Sequence, residues 1–145
     1  MDGVPVDLMP PDETILGFSN RWYYSIIEHA VPMALPGGTT IRLASGPFLI
    51  ASKLEAFHGR GEGHYRYSHD IEDIIVVLDG RMEIVDEIRQ APSDVRSYLA
   101  AEFGKLLGDE DFVEGIGDHL LPDAASQQRT DIIRERMRRI SESDR

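Results

Sequence analysis

The residues best suited to metal chemistry gather between positions 58 and 73. They are three histidines and two aspartates: His58, His64, His69, Asp70 and Asp73. Imidazole nitrogens and carboxylate oxygens are common ligands of divalent metal ions, so this stretch is the densest candidate metal cluster in the chain. Asp70 and Asp73 are spaced i and i+3, which places them on one face of a helix. A structural alternative is that Asp70 only stabilises the dipole at the start of that helix.

Two basic residues precede this cluster. Lys53 lies within the apolar segment PFLIASKLEAF, and Arg60 follows about two helical turns later, on nearly the same side. A lysine ammonium and an arginine guanidinium are suitable partners for phosphate. The alternative for Lys53 is an ammonium that extends to solvent from a largely buried helix. The sequence GRGEG at 59–63 follows a helix and not a strand, so it is better interpreted as a linker than as a phosphate loop.

Asp7 is a candidate metal ligand in the alternating sequence VPVDLM at 4–9. Val4, Val6 and Leu8 share one face of the predicted strand, so Asp7 lies on the opposite face, towards a cleft or water. A carboxylate on a rigid sheet face is a suitable ligand for Mg²⁺. One carboxylate is too few to hold the ion, and a surface aspartate is the alternative interpretation.

The elements that must position these residues begin with a β-rich front. A strand over 4–9 is followed by a helix through NRWYYSIIEHA, in which Trp22, Ile26 and Ile27 fall near one face. The next segment, VPMALPGGTTIRLAS, predicts a hairpin, because the turn at Gly37-Gly38 requires positive φ. Residues 1–45 therefore predict a small mixed or antiparallel sheet of about three strands.

A helical rear follows from residue 46. Pro47 is suited to the first turn of one helix, and Ser68 or Asp70 can cap the next, HDIEDIIVVLDG. Further helices are predicted over 81–89, from Ser93 to 107, weakly over 109–117, and from about residue 126 onward. The predicted fold class is α+β, a small sheet followed by a helical bundle. We divide the chain into a sheet region (1–45), a helical region with the Lys and Asp motifs (46–108) and a polar helical tail (109–145).

Composition excludes several classes of function. The chain has 145 residues, 15 Lys+Arg against 26 Asp+Glu, and no cysteine. The absence of cysteine excludes disulfides, a thiol nucleophile and Cys-ligated zinc. The net charge of −11 argues against independent DNA binding, since that affinity comes mainly from neutralised phosphates. No apolar run reaches the ~20 residues of a membrane span, so we expect a cytoplasmic protein without a membrane partner.

Several segments resemble a known family in order along the chain. They are DGVPVDLMPPDETILGFSNRWY, IRLASGPFLIASKLEAF and RGEGHYRYSHDIEDIIVVLDGR. This pattern resembles the later part of bacterial nucleotidyltransferases of the abortive-infection toxin type, within the DNA-polymerase-β-like superfamily. The middle segment matches an alternating strand followed by a Lys-x-x-Ala helix. The last segment matches an Arg, a loop and a helix with paired Asp.

The resemblance implies a role for each candidate residue. Asp7 would be a metal-binding carboxylate, Lys53 would contact the nucleoside triphosphate, and Asp70 would be an acidic residue of the active site. Arg60 and Asp73 would support nucleotide binding. Mg²⁺ and an NTP are the implied cofactor and substrate, with transfer of NMP to a hydroxyl of RNA or protein. The resemblance also makes an antitoxin a candidate partner.

One departure from the family bears on activity. The family begins with a Gly-Ser loop and a nearby Asp-x-Asp pair, and the sequence here has no such loop and only Asp109-Glu110-Asp111 far downstream. We therefore expect a truncated nucleotidyltransferase fold, catalytically incomplete alone, which associates with itself or with a missing N-terminal half. The alternatives are a non-catalytic interaction module or remnant and, from the His69-Asp70 doublet, an HD-type metal phosphohydrolase.

Overall fold

A computed structural model of the protein describes residues 3, 10–12, 14, 19–60 and 64–145. Over these residues the fold is α+β, with a two-stranded antiparallel sheet followed by packed helices, so the predicted fold class is confirmed. The third predicted strand, at 4–9, lies outside the described residues. None of the described helices combines the length and apolar character needed to cross a membrane.

The secondary-structure elements follow the predicted order. They are α1 (Tyr23–Glu28), β1 (Val31–Ala34), β2 (Thr40–Leu43), α2 (Gly46–Gly59), α3 (His69–Gly80), α4 (Ile84–Gln90), α5 (Ser93–Leu107), α6 (Glu110–Gly115) and α7 (Ala124–Ser141). Short 3-10 helices at Tyr65–Tyr67 and Ile116–His119 precede α3 and follow α6. The helix predicted over 81–89 begins later, at Ile84, because Met82 and Glu83 form a turn.

The hairpin has the geometry that its glycines predict. Gly37 and Gly38 have φ of 97° and 89°, in the region that favours glycine. Antiparallel pairing places Val31 opposite Leu43. Every residue of β1 is exposed, so the hairpin stands largely outside the core.

The core lies between the helices. α5 and α7 make the most extensive contact, and α2 packs against both α3 and α5. The apolar side chains of these helices are almost fully buried: Ile50, Leu54, Ile71, Ile75, Leu78, Leu99, Phe103, Ile133, Met137 and Ile140. This packing fixes α2 and α3, which carry most of the candidate site residues.

Helix α3 is held at both ends. Ser68 caps its start, as predicted, and accepts the backbone N–H of Ile71 at 3.3 Å. At its other end, Arg129 on α7 lies 2.5 Å from the Asp79 carboxylate and Arg136 donates to the Asp79 carbonyl at 2.8 Å. Guanidinium groups at a helix C-terminus satisfy its last carbonyls and complement its dipole. The position of α3 thus depends on α7, some 50 residues away in the chain.

A buried asparagine joins α1 to α2. The Asn20 side chain donates to the Ser52 carbonyl at 2.8 Å and accepts the Trp22 backbone N–H at 3.1 Å. Asn20 is only 7% exposed, so both hydrogen bonds satisfy a polar group that would be costly to bury alone. They hold the start of α1 against the middle of α2, beside Lys53.

Candidate functional site

Four of the predicted site residues meet between α2 and α3. The Lys53 ammonium lies 2.6 Å from an Asp73 oxygen and 3.8 Å from an Asp70 oxygen. Arg60 Nε lies 3.5 Å from the other Asp70 oxygen. We call Lys53, Arg60, Asp70 and Asp73 the α2–α3 ion cluster. Asp7, the fifth predicted site residue, lies outside the described residues.

Helix periodicity accounts for the convergence. Lys53 and Arg60 are spaced by about two turns, so both emerge on the side of α2 that faces α3. Asp70 and Asp73 lie one turn apart on α3. Because α2 and α3 pack against each other, the two basic side chains lie next to the two carboxylates.

The two carboxylates of the cluster differ in burial. The Asp70 side chain is 6% exposed, whereas the Asp73 side chain is 52% exposed. A buried carboxylate needs charged or hydrogen-bonding partners, and Lys53 and Arg60 supply them to Asp70. An exposed pair such as Lys53 and Asp73 contributes at most about 1 kcal/mol, so a competing anion displaces Asp73 at little cost.

Within the described part of the chain, three cavities border Arg60. One of about 370 Å³ lies between α1 and α2 and extends to Lys53 and Asp70. A second, of about 190 Å³, is lined by His64, Tyr67 and His69, and a third, of about 250 Å³, includes Asn20. Arg60 therefore stands where three concave surfaces meet, with a side chain that is 67% exposed.

The predicted metal cluster does not assemble in the described part of the chain. His58 turns towards α5, where its Nε2 lies 2.5 Å from a Glu102 oxygen. The His69 side chain is 91% exposed and contacts Glu72, while Asp70 is buried. Across residues 19–60 and 64–145, no three metal-capable side chains form a group.

The described residues do not provide a Mg²⁺ site by themselves. Asp70 lines two of the cavities, Glu55 lines the third, and the Lys53 ammonium contacts both Asp70 and Asp73. Mg²⁺ requires oxygen ligands in octahedral geometry, and two carboxylates already paired with cations do not present them. The described cluster is a set of mutually paired charges, two basic and two acidic.

The residues that form one wall of the largest of these three cavities were not among the predicted site residues. Tyr23, Ile26 and Ile27 on α1 line it, at the i, i+3, i+4 spacing of one helix face. The predicted shared face of Trp22, Ile26 and Ile27 is confirmed for Trp22 and Ile26, which pack in the same core, and is wrong for Ile27, which is 51% exposed. The signal available in the sequence was the i, i+3, i+4 spacing of apolar and aromatic residues, which begins at Tyr23 and not at Trp22.

No known family model, curated protein or solved structure matches the chain. Its function must therefore be inferred from the side chains themselves. The family resemblance named five residues, and the four that lie within the described residues form a single cluster.

Proposed function

We propose that the chain carries the nucleotide-binding part of a nucleotidyltransferase of the toxin type. In this proposal Lys53 and Arg60 contact the phosphates of an NTP, and Asp70 holds the two basic groups in position. The observation that carries it is the α2–α3 ion cluster at the edge of the cavities around Arg60.

The reaction class is transfer of NMP to a hydroxyl group. The acceptor oxygen bonds to the α-phosphorus, the bond to the oxygen bridging the β-phosphate breaks, and pyrophosphate leaves while the hydroxyl proton passes to solvent. Such transfer depends mainly on positioning and charge stabilisation, which basic side chains supply. We propose that this chain binds the nucleotide but does not complete the transfer alone, since this sequence has no Gly-Ser loop with a nearby Asp-x-Asp pair to hold Mg²⁺.

Binding of a triphosphate is an exchange of anions at Lys53. The ammonium leaves the exposed Asp73 carboxylate, its partner at 2.6 Å, and contacts phosphate oxygens. Asp70 stays in place because its side chain is buried and also contacts Arg60 at 3.5 Å. A triphosphate carries several negative charges and competes well with a single exposed carboxylate.

The binding test compares two lysines on different faces of the helical bundle. Lys53→Ala removes a proposed phosphate contact, and we expect the dissociation constant of ATP to rise roughly 10- to 100-fold, the loss of one or two charge-assisted hydrogen bonds. Lys105→Ala is the matched control, because Lys105 also pairs with a buried carboxylate, Glu102, at 2.8 Å. Isothermal titration calorimetry measures both variants against the wild type.

Equal losses in the two lysine variants would refute the proposal, since a general effect of charge would then explain the binding. A parallel assay incubates the chain with each labelled NTP, Mg²⁺ and cellular RNA and protein. We expect no transfer. Reproducible transfer abolished by Asp7→Ala would overturn the proposal of an incomplete enzyme.

A second candidate function is that of a non-catalytic interaction module. The exposed hairpin favours it, because Val31, Met33 and Leu43 expose apolar side chains beside a groove of about 720 Å³. Self-association, a separate N-terminal half or an antitoxin are the partners to consider. Light scattering over a range of concentrations separates the proposals: a dimer lost in Met33→Glu, without any binding of ATP, would favour the module.

A further inference from the structure

We infer that the cavity of about 370 Å³ between α1 and α2 binds the base of the nucleotide whose phosphates contact Lys53 and Arg60. The inference rests on the proposed function and extends it, because it assigns an orientation to the ligand. The volume of this cavity lies within the ~300–1,000 Å³ that is typical of small-molecule sites.

The wall formed by α1 is apolar and aromatic. Tyr23, Ile26 and Ile27 lie along it, and Ala56 of α2 faces the same space. Ile27 is 51% exposed although it is a large aliphatic residue next to a well-packed core. A flat heterocycle would cover this surface and gain the free energy of removing it from water.

The side of the cavity opposite α1 carries charged groups. Lys53, Arg60 and Asp70 line it, so one continuous space has an apolar wall on α1 and charged side chains, two of them basic, facing it. A nucleotide has the matching polarity, with an aromatic base joined to an anionic phosphate chain. An inorganic phosphate would leave the apolar wall uncovered, and an apolar ligand would leave the cations without a partner.

Apart from the Tyr23 hydroxyl and the charged groups, the described lining offers few hydrogen-bonding groups that could distinguish one base from another. The Ser52 hydroxyl donates to the Leu49 carbonyl at 2.8 Å, and the Ser52 carbonyl accepts from Asn20 at 2.8 Å. Discrimination between bases depends on hydrogen-bonding groups that a wrong base leaves unpaired. We therefore expect ATP, GTP, CTP and UTP to bind within about tenfold of one another.

The cavity of about 190 Å³ on the other side of Arg60 is the competing location for the base. It contains Tyr67, whose ring could stack on a base, but Tyr67 is 86% exposed. The neighbouring residues His64, Ser68 and His69 are polar. Among the described residues that line this smaller cavity, Phe57 is the one other apolar surface, so this lining covers a base less completely than the cavity beside α1 does.

The experiment titrates the wild type and three variants with ATP and, separately, with inorganic tripolyphosphate. We expect the double variant Tyr23→Ala, Ile27→Ala to bind ATP about tenfold more weakly, the loss of one stacking surface, and tripolyphosphate unchanged. Tyr24→Ala is the matched control, since Tyr24 lies on the same helix, is 64% exposed and does not line the cavity. Tyr67→Ala tests the competing location.

Each result bears on the inference in a stated way. If the double variant binds ATP normally while Lys53→Ala does not, the base lies elsewhere and the proposed function stands. If Tyr67→Ala weakens ATP and the double variant does not, the base lies in the smaller cavity. If neither ATP nor tripolyphosphate binds the wild type, the proposed function and this inference both fail. Circular dichroism of the double variant verifies that α1 still folds.

Discussion

Two faces of helix α2 carry similar sets of charges. On one, the buried Asp70 carboxylate lies near Lys53 and Arg60, at 3.8 and 3.5 Å. On the other, the Glu102 carboxylate lies 2.5 Å from His58 and 2.8 Å from Lys105. We call the second set, His58, Glu102 and Lys105, the α2–α5 ion cluster. Each set centres on a carboxylate whose side chain is less than a tenth exposed.

The surroundings of the two clusters differ. The α2–α3 ion cluster borders the cavities around Arg60 and includes a second, exposed carboxylate, Asp73, which we propose a ligand replaces. The cavities around Arg60 do not include Glu102, whose partners join α2 to α5. A buried ion pair therefore does not by itself indicate a functional site. An adjoining cavity and a replaceable partner distinguish a candidate binding site from a structural contact.

The α2–α5 cluster has a defined effect on ionisation. Burial opposes the charged form of Glu102, but hydrogen bonds from Lys105 and His58 outweigh it, so the pKa of Glu102 lies below its ordinary value. A lowered carboxyl pKa in the folded state means that the charged form stabilises the fold above the ordinary carboxyl pKa. That stabilisation is lost as the pH falls.

The largest expected effect is the increase in the free energy of unfolding when ATP binds. Measured in the wild type and in a Glu102 variant, it tests whether the two clusters are independent. ATP at a hundred times its dissociation constant raises the free energy of unfolding by about 2.7 kcal/mol through linkage. We expect the same increase in Glu102→Gln, because Glu102 lies outside the cavities. Urea unfolding followed by the fluorescence of Trp22, the only tryptophan, measures it. A smaller increase in the variant would show that the two faces of α2 are coupled.

A second prediction concerns stability without ligand. Glu102→Gln removes the charge held by His58 and Lys105, and we expect it to lower the free energy of unfolding by about 1–2 kcal/mol at pH 7. The difference from the wild type shrinks as the pH falls through the lowered pKa of Glu102, where the wild-type carboxylate also becomes neutral. Urea unfolding at a series of pH values from 7 downward follows this change, with the exposed Glu114→Gln as control. A difference that stays constant throughout the acid range would point to lost packing and not to lost charge.

The smallest expected effect concerns the replaceable partner. Asp73→Asn removes the anion that competes for the Lys53 ammonium, so we expect about threefold tighter binding of ATP, the equivalent of a surface ion pair. Glu72→Gln is the matched control, because this neighbouring exposed carboxylate contacts His69. Calorimetric titration compares the two. Weaker binding in Asp73→Asn would mean that Asp73 itself contributes to the ligand site.

The sequence alone determined the local features of the site. The spacing of Lys53 and Arg60 and that of Asp70 and Asp73 predicted shared helix faces, and the structure brings these faces together. The cap at Ser68 was also predictable. These features depend on contacts within one or two helical turns, where backbone geometry leaves few alternatives. The metal-binding role of Asp7, which the family resemblance implies, stays a prediction, since Asp7 lies outside the described residues.

Only the tertiary structure decided which groups meet across the chain. His58 was expected near the other metal-capable residues, but it contacts Glu102, 44 residues further along. Asn20 donates to the Ser52 carbonyl, 32 residues away, a contact that its position just before α1 does not predict. Ile27 was expected to share a face with Trp22 and instead lines the cavity beside Lys53. Such contacts depend on how helices pack through their buried apolar side chains, and local sequence spacing does not encode which helix faces which.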